Sequence, residues 1–211
     1  TDVTLNDNDN IEFIQFSEEF KDEVTFFFNG LKSLLAMSIP SGVKAHGTVQ
    51  SCGQLISADI ADDVTEIKEQ LKGCGSLEKV NIPDSVTKIG ESAFRYCKSL
   101  DNVKLPEGLT EIGGYAFNNC SSLYVMTIPE SVTSIGKWAF EGCSDMVSIT
   151  LPKELKTIGE STFRDCSNLR YIEFPENLEE IGESAFSNCI KLEYIELPDG
   201  LKTISRDAFG G

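Results

Sequence analysis

The chain has 211 residues, of which 40% are hydrophobic and 25% are charged, and this composition predicts a single folded domain. Asp and Glu outnumber Lys and Arg by 34 to 18, which gives a net charge of −16, and a surface this acidic repels nucleic acid and anionic lipid. Because no apolar run is long enough to cross a bilayer, we also expect no membrane insertion.

Residues 6–10 predict a solvated N-terminal segment. The chain begins with Thr1 and not with Met, and it shows no apolar signal sequence, so we expect a mature or trimmed fragment whose targeting signal is not visible. Residues 6–10 (Asn-Asp-Asn-Asp-Asn) resemble part of a calcium loop. They lack the glycine and the distal Glu that such a loop requires.

Residues 11–76 contain a degenerate form of a pattern that becomes regular later. Residues 32–43 match residues 98–109 at an offset of 66, and Ile60 to Ile67 match the segment that begins at Ile82 at an offset of 22. We therefore predict degenerate N-terminal repeats and a cap over residues 1–76.

An aromatic cluster lies within this degenerate region. Phe28 falls on a column of Phe residues that we expect to be buried, whereas Phe26 and Phe27 stand where later units have Ser and Ala. Since the ends of a stacked array must be shielded, we expect Phe26 and Phe27 to pack against irregular neighbours or to cover the open end.

Residues 77–211 form a regular 23-residue repeat in which Pro, Ile, Phe and Cys each recur at the same interval. The Phe column holds Phe94, Phe117, Phe140, Phe163, Phe186 and Phe209. With the degenerate units included, nine units open at Ile11, Leu34, Leu55, Leu77, Leu100, Leu123, Met146, Leu169 and Leu192. A unit this short cannot bury its own apolar face, so the pattern predicts about nine coils of 21–23 residues stacked into one continuous solenoid domain.

Each unit contains the signals for three local elements. Its first segment alternates apolar and polar residues, which predicts a short strand of a parallel sheet, with Val103 and Leu105 inward and Asn102 and Lys104 outward. Pro ends that strand because it has no N–H for the ladder. A second extended segment follows, and residues 91–94 (Glu-Ser-Ala-Phe) are predicted to form a short helical turn.

The repeat resembles the unit of the BspA-like leucine-rich repeat family. Residues 82–100 and 128–146 both read I-P-x-S-V-T-x-I-G-x-x-A-F-x-x-C-x-x-(L/M), and the match is specific over residues 77–209. This resemblance implies a leucine-rich-repeat solenoid of short parallel strands and short helical turns. It also implies a cell-surface or secreted protein that contacts host or extracellular-matrix proteins. The implied function rests on analogy with the family, because one repeat fold serves many functions.

All seven cysteines share one column of the repeat. Their side chains would project in parallel from adjacent coils, an orientation that disfavours disulfides, and an odd number cannot all pair within the chain. We expect the cysteines to be buried and to pack as small hydrophobic residues, and the alternative is that some of them form disulfides. Metal binding is less favoured, since the chain has no Cys-x-x-Cys motif and only His46 as a histidine.

The sequence predicts neither catalytic residues nor a cofactor. His46 has no second histidine and no matched nucleophile. Glu173 and Glu196 lie one coil apart, a spacing suited to a retaining glycosidase, but a flat ladder offers no pocket that would desolvate them. The recurring Ile-Gly is a repeat turn and not a nucleotide-binding motif.

Two sets of outward residues are candidate protein-binding sites. Tyr171 and Tyr194, flanked by Glu173 and Glu196, form an aromatic and acidic stripe that suits a basic protein segment, with simple cross-strand aromatic pairing as the alternative.

Tyr115 and Trp138 form the second set. They share a column otherwise held by Ser92, Ser161 and Ser184, which we expect on the outer side. A chance exposed aromatic contact is the alternative for this pair. The predicted function is therefore a non-catalytic protein-binding module, with a structural spacer as the alternative and carbohydrate binding as the third possibility.

Overall fold

The protein is built from short parallel strands joined by turns. The computed structural model describes residues 2–7, 10–17, 24–38 and 45–211, and these residues form seventeen strands. In chain order the strands are β1 (Asp2–Asn6), β2 (Phe13–Gln15), β3 (Val24–Asn29), β4 (Ala36–Ser38), β5 (Ala45–Gln50), β6 (Ser57–Asp59), β7 (Glu66–Ile67), β8 (Lys79–Asn81), β9 (Lys88–Ile89), β10 (Glu111–Ile112), β11 (Val125–Thr127), β12 (Ser134–Ile135), β13 (Ser148–Thr150), β14 (Thr157–Ile158), β15 (Tyr171–Glu173), β16 (Glu180–Ile181) and β17 (Thr203–Ile204). The pairs among them are parallel.

The strands lie on three faces of a solenoid. The solenoid has about eight turns, compared with the nine coils that the sequence predicts. The first face carries two sheets, β2-β4-β6-β8 and β11-β13-β15. The second face carries β7-β9-β10-β12 and β14-β16-β17, and the third begins with β1-β3-β5. The predicted parallel solenoid is confirmed.

Strand β1 lies before the first predicted unit, which opens at Ile11. Asp2–Asn6 pairs in register with β3, from Asp2 opposite Thr25 to Asn6 opposite Asn29. The chain therefore enters the array before residue 11. Asn8 and Asp9, from the middle of the calcium-like sequence, lie outside the described residues.

The first face shows the predicted alternation of burial, but its ladder is interrupted. Val103 and Leu105 are buried while Asn102 and Lys104 are exposed, as the sequence predicts. Residues 102–104 nevertheless do not form a strand, and the same holds for residues 194–196. Inward packing therefore persists at Val103 and Leu105 without the inter-coil ladder, whereas Ile195 is only half-buried and Leu197 is exposed.

The third face contains turns where the sequence predicts helical turns. Ser92 and Tyr96 adopt left-handed backbone conformations, with φ of 57° and 64°, which a right-handed helix excludes. The N–H groups of Ser92, Phe94 and Tyr96 donate to the carbonyls of Gly114, Ala116 and Asn118 in the next coil. Single-turn bonds such as Arg95 N–H to Ser92 O at 3.1 Å alternate with these bonds between coils, and no helix forms among the described residues, so the prediction of short helical turns is wrong.

The core consists of side-chain ladders that run along the solenoid. Rings of the Phe column stack from Phe94 to Phe209 with centroid separations of 5.2–5.5 Å. In the N-terminal region Phe26 is buried between Phe16 and Phe28, whereas Phe27 is exposed. Phe26 thus packs as predicted, and Phe27 does not. In the part of the chain that the structure describes, no helix is long and apolar enough to span a bilayer.

Candidate functional site

Tyr115 and Trp138 form a ring stack between adjacent coils. Their ring centroids are 4.9 Å apart and their planes differ by 9°. Both side chains are partly buried, while Ser92 and Ser161 in the same column are buried. The column is therefore buried at these two serines, partly exposed at Tyr115, Trp138 and Ser184, and exposed at Asp207.

The backbone at this column requires a left-handed conformation. Tyr115 and Trp138 both have φ of 57°, and their N–H groups donate to Lys137 O and Glu160 O at 3.1 and 3.0 Å. The other members of the column have similar angles and are small or polar residues, namely Ser92, Ser161, Ser184 and Asp207. Bulky residues are uncommon in this conformation, so the two aromatic residues occupy positions that the backbone does not favour.

Two cationic side chains flank the stack. The Arg95 guanidinium carbon lies 4.7 Å from the Tyr115 centroid and 4.8 Å from the Tyr96 centroid. Lys137 Nζ lies 5.8 Å from the Trp138 centroid and 3.0 Å from Glu160 Oε2. These distances are in the range of cation–π interactions. We call Arg95, Tyr96, Tyr115, Lys137 and Trp138 the aromatic ladder.

Hydrogen bonds fix the position of Arg95. Its Nη2 donates to the Tyr96 hydroxyl at 3.1 Å and its Nε donates to Asn118 Oδ1 at 3.1 Å. Asn118 Nδ2 donates in turn to Glu141 Oε2 at 2.9 Å. Arg95, Tyr96 and Lys137 are not among the predicted site residues because they lie outside the column that Tyr115 and Trp138 share. The signal in the sequence is the presence of cationic and aromatic residues in columns near that of Tyr115 and Trp138.

The tyrosine and glutamate stripe is open and its rings are separate. Tyr171 and Tyr194 are 64% and 69% exposed, and among the described residues their rings form no stacked pair like that of Tyr115 and Trp138. Tyr171 lies on β15, which pairs only with β13, and residues 194–196 have no ladder partner. The expected stacking of Tyr171 beside Tyr194 is therefore absent.

A groove separates the two coils of this stripe. It has a volume of about 590 Å³, and Glu173 and Glu196 both line it. Both carboxylates are solvent-exposed, and the groove does not enclose them as the active-site cleft of a glycosidase encloses its two acids. The groove offers polar contacts to a ligand at its surface.

The remaining candidates for chemistry are the cysteines and His46. All seven cysteines are buried free thiols, so their predicted burial is confirmed. His46 lies in β5, and its side chain is outside the described residues. Among the described residues, no group of three or more His, Cys, Asp or Glu side chains is arranged to hold a metal ion.

A family model described as the BspA type leucine-rich repeat region matches the chain in six copies, over residues 4–101 and 87–211. These two ranges together span almost the whole sequence. A comparison with curated protein sequences gives no significant match.

Solved structures of bacterial leucine-rich repeat proteins share this fold. The leucine-rich repeat protein of T. pallidum is 29% identical with a TM-score of 0.69, and the match covers 84% of each chain. A leucine-rich repeat protein from Bacteroides ovatus is 28% identical with a TM-score of 0.58, covering 89% of this chain and 54% of the other. A leucine-rich cell surface protein from Faecalibacterium prausnitzii is 22% identical with a TM-score of 0.52, covering 99% of this chain and 81% of the other, and shows likeness of fold alone.

Proposed function

Because the chain belongs to the BspA-type leucine-rich repeat family, we propose that it is a non-catalytic module that binds another protein at the surface of the cell or in the secreted state. Repeat proteins of this kind bind through residues that vary between coils, while the ladders supply stability. A structural relative from Faecalibacterium prausnitzii is described as a cell surface protein. The proposed partners are host or extracellular-matrix proteins.

The aromatic ladder is the observation that carries this proposal. Trp, Tyr and Arg are the residues most enriched at the energetic centres of protein interfaces, and here they are assembled side by side. Fold stability does not explain Tyr115 and Trp138, because the same left-handed position is held by Ser in three other coils, at residues 92, 161 and 184. Residues that strain the backbone without being needed for the fold are candidates for function.

Ring geometry favours a protein partner over a carbohydrate. Sugars bind aromatic side chains through an open ring face, but one face of Tyr115 contacts Trp138 and Arg95 also lies over the Tyr115 ring. Lys137 lies near the Trp138 ring. The ring edges and the cationic groups remain for contact, and these suit a polar and aromatic protein surface.

The test compares proteins captured from an extract of mammalian extracellular matrix by the immobilised chain and by its Tyr115→Ser/Trp138→Ser variant. Ser is the residue that the fold itself uses in this column. The control is Ile190→Ser, which alters a side chain that is 72% exposed and lies outside the ladder. We expect at least one protein to be captured by the wild type and the control and to fall about tenfold with the double variant. Equal capture by all three would contradict the proposal and favour a spacer.

Stability measurements separate lost binding from lost folding. Trp138→Ser should change the free energy of unfolding by less than about 1 kcal/mol, because the lost ring stacking is offset by relief of the backbone. Phe140→Ala should cost about 3–5 kcal/mol, because Phe140 is fully buried in the Phe column and its loss leaves a cavity. A large loss of stability in Trp138→Ser would mean that the stack serves the fold.

A further inference from the structure

The ladder of the first face ends at β15. In earlier coils the backbone of one coil bonds to the next, as when Ile128 N–H donates to Thr150 O at 3.0 Å and Tyr124 O accepts from Val147 N–H at 2.9 Å. The equivalent groups near β15 are Phe174 N–H and the Arg170 carbonyl. Within the described chain neither has a backbone partner in residues 193–197. β15 therefore presents an unpaired strand edge.

The groove of about 590 Å³ lies beside this edge. Ile172 and Phe174 line it from the β15 side and are largely buried. Leu197, which is 40% exposed, and Pro198 line it from the last coil. An apolar lining next to free backbone groups is the arrangement to which an extended peptide adds as a further strand.

Charge defines the peptide that fits. Four carboxylates line the groove and no Lys or Arg does so: Glu173, Glu176, Glu196 and Asp199. Within the described residues none of the four has an ion pair. On the second face of the same two coils, Glu179 is paired with Lys202 at 2.6 Å, so the fold neutralises a carboxylate there with the cation one coil later. The groove lacks that cation.

We propose that this groove binds an extended basic segment of the protein partner, which adds to β15 as a parallel strand. The proposal rests on the proposed protein-binding function and names the chemistry of the partner at this surface. In an added strand, alternate side chains would lie beside Tyr171 and Glu173 on one side and Tyr194 and Glu196 on the other. Lys or Arg at those positions would pair with the two glutamates, and the intervening apolar side chains would contact Ile172 and Phe174.

A second opening in the first face provides an internal control. A cleft of about 1040 Å³ lies between residues 101–107 and 124–130, again where a segment of the first face has no ladder. Its lining includes Lys104 and the carboxylates of Asp101, Glu107 and Glu130. Because one cation is already present there, a basic peptide is expected to prefer the groove at β15.

The test measures binding of three labelled eight-residue peptides by fluorescence anisotropy. The probe alternates Lys and Val, the second peptide has Glu in place of Lys, and the third is the Lys and Val peptide N-methylated at alternate residues, which removes backbone donors. The protein variants are Glu173→Gln/Glu196→Gln and, as the matched control, Glu107→Gln/Glu130→Gln. We expect only the unmethylated Lys peptide to bind, and its affinity to fall about tenfold with the first variant and less than twofold with the control.

Three results would overturn the proposal. Equal binding of the N-methylated peptide would mean that attraction to the net charge of −16 suffices without strand addition. An equal loss in both double variants would mean the same. No binding of the Lys peptide would exclude the groove as a basic-peptide site. Capture of matrix proteins through Tyr115 and Trp138 is measured separately with different variants, so either proposal can fail while the other stands.

Discussion

Cysteine thiols act as hydrogen-bond donors inside this solenoid. Cys120 Sγ donates to Phe94 O at 3.1 Å and Cys143 Sγ to Phe117 O at 3.3 Å, each reaching a carbonyl in the preceding coil. Those carbonyls also accept the N–H groups of Cys97 and Cys120. A cysteine thus fills a small apolar site and bonds to the backbone of the coil next to it, which explains why one residue type recurs in the column.

Burial makes these thiols difficult to ionise. Desolvation raises the pKa of Cys74 and of Cys189 to about 12, and it raises the pKa of Cys120 well above 9.0. Since the unfolded thiol titrates near 9.0, the unfolded chain binds fewer protons than the folded chain above that pH. The stability that the neutral thiols confer is complete below about pH 9 and is lost as the pH rises toward 12.

Cys120→Ala should reduce this alkaline loss of stability. One buried thiol contributes about 1.4 kcal/mol per pH unit above its unfolded pKa, so the slope of unfolding free energy against pH should be shallower by about that amount between pH 9 and 11. Urea denaturation at several pH values measures both slopes. The two proteins differ in this one thiol, so parallel slopes, or rapid labelling of native thiols at pH 8, would contradict the assignment.

In the turns that follow second-face strands, adjacent coils approach closely at some positions and not at others. A Cβ atom placed on Gly136 would lie 2.3 Å from Gly114 N and 2.6 Å from Gly113 C, both backbone atoms. The equivalent atom on Gly159 would lie 3.5 Å from its nearest neighbours, an ordinary contact. The glycine column therefore has a steric cause at Gly136 that is absent at Gly159.

This difference predicts opposite effects of one substitution at two positions of the repeat. Gly136→Ala should destabilise the protein by about 1–3 kcal/mol or more, because the backbone of the preceding coil must move. Gly159→Ala should be neutral or stabilise by up to about 1 kcal/mol, because alanine restricts the unfolded chain. Chemical denaturation of both variants is the measurement. Equal destabilisation would show that local turn geometry, and not the close approach of coils, requires glycine.

The elements also show which features the sequence could predict. Alternation around Val103 and the spacing of Ile89 and Ile112 depend on burial, which is periodic, so inward residues and the second-face strands follow directly from the repeat. The turn at Ser92 does not follow from the repeat, because hydrogen bonds to another coil determine its backbone conformation and override helix propensity. Openings beside residues 102–104 and 194–196 depend on how adjacent coils separate, which no pattern within a unit encodes.

The candidate sites divide in the same way. A shared column places Tyr115 and Trp138 on adjacent coils, so their proximity follows from the 23-residue interval. The contact of Arg95 with Tyr115 depends on the direction in which a left-handed residue projects its side chain, and sequence spacing does not give that direction. Tyr171 and Tyr194 share a column as well, yet their rings do not stack, because the ladder between their coils is absent.

The molecule as a whole is a linear array in which each coil contacts mainly the coil before it and the coil after it. Stability is then close to a sum of coil and interface terms. Glu183 follows Glu160 at the position that pairs with Lys137, and the column residues of one coil are nearly interchangeable with those of the next. Removal of one full unit should therefore reproduce the contacts that it deletes.

Deletion of residues 146–168 tests this property because it joins Asp145 to Leu169 with every column kept in register. We expect a folded protein with cooperative unfolding and with an m-value in urea lower by about one ninth, since the m-value scales with the surface exposed on unfolding. Deletion of residues 146–169 also removes Leu169, which is fully buried, and places Arg170 after Asp145, so that protein loses one buried leucine of the column and should be less stable than the first by about 2–5 kcal/mol. Circular dichroism and urea denaturation distinguish the two, and equal stability would mean that the coils are not stacked in register.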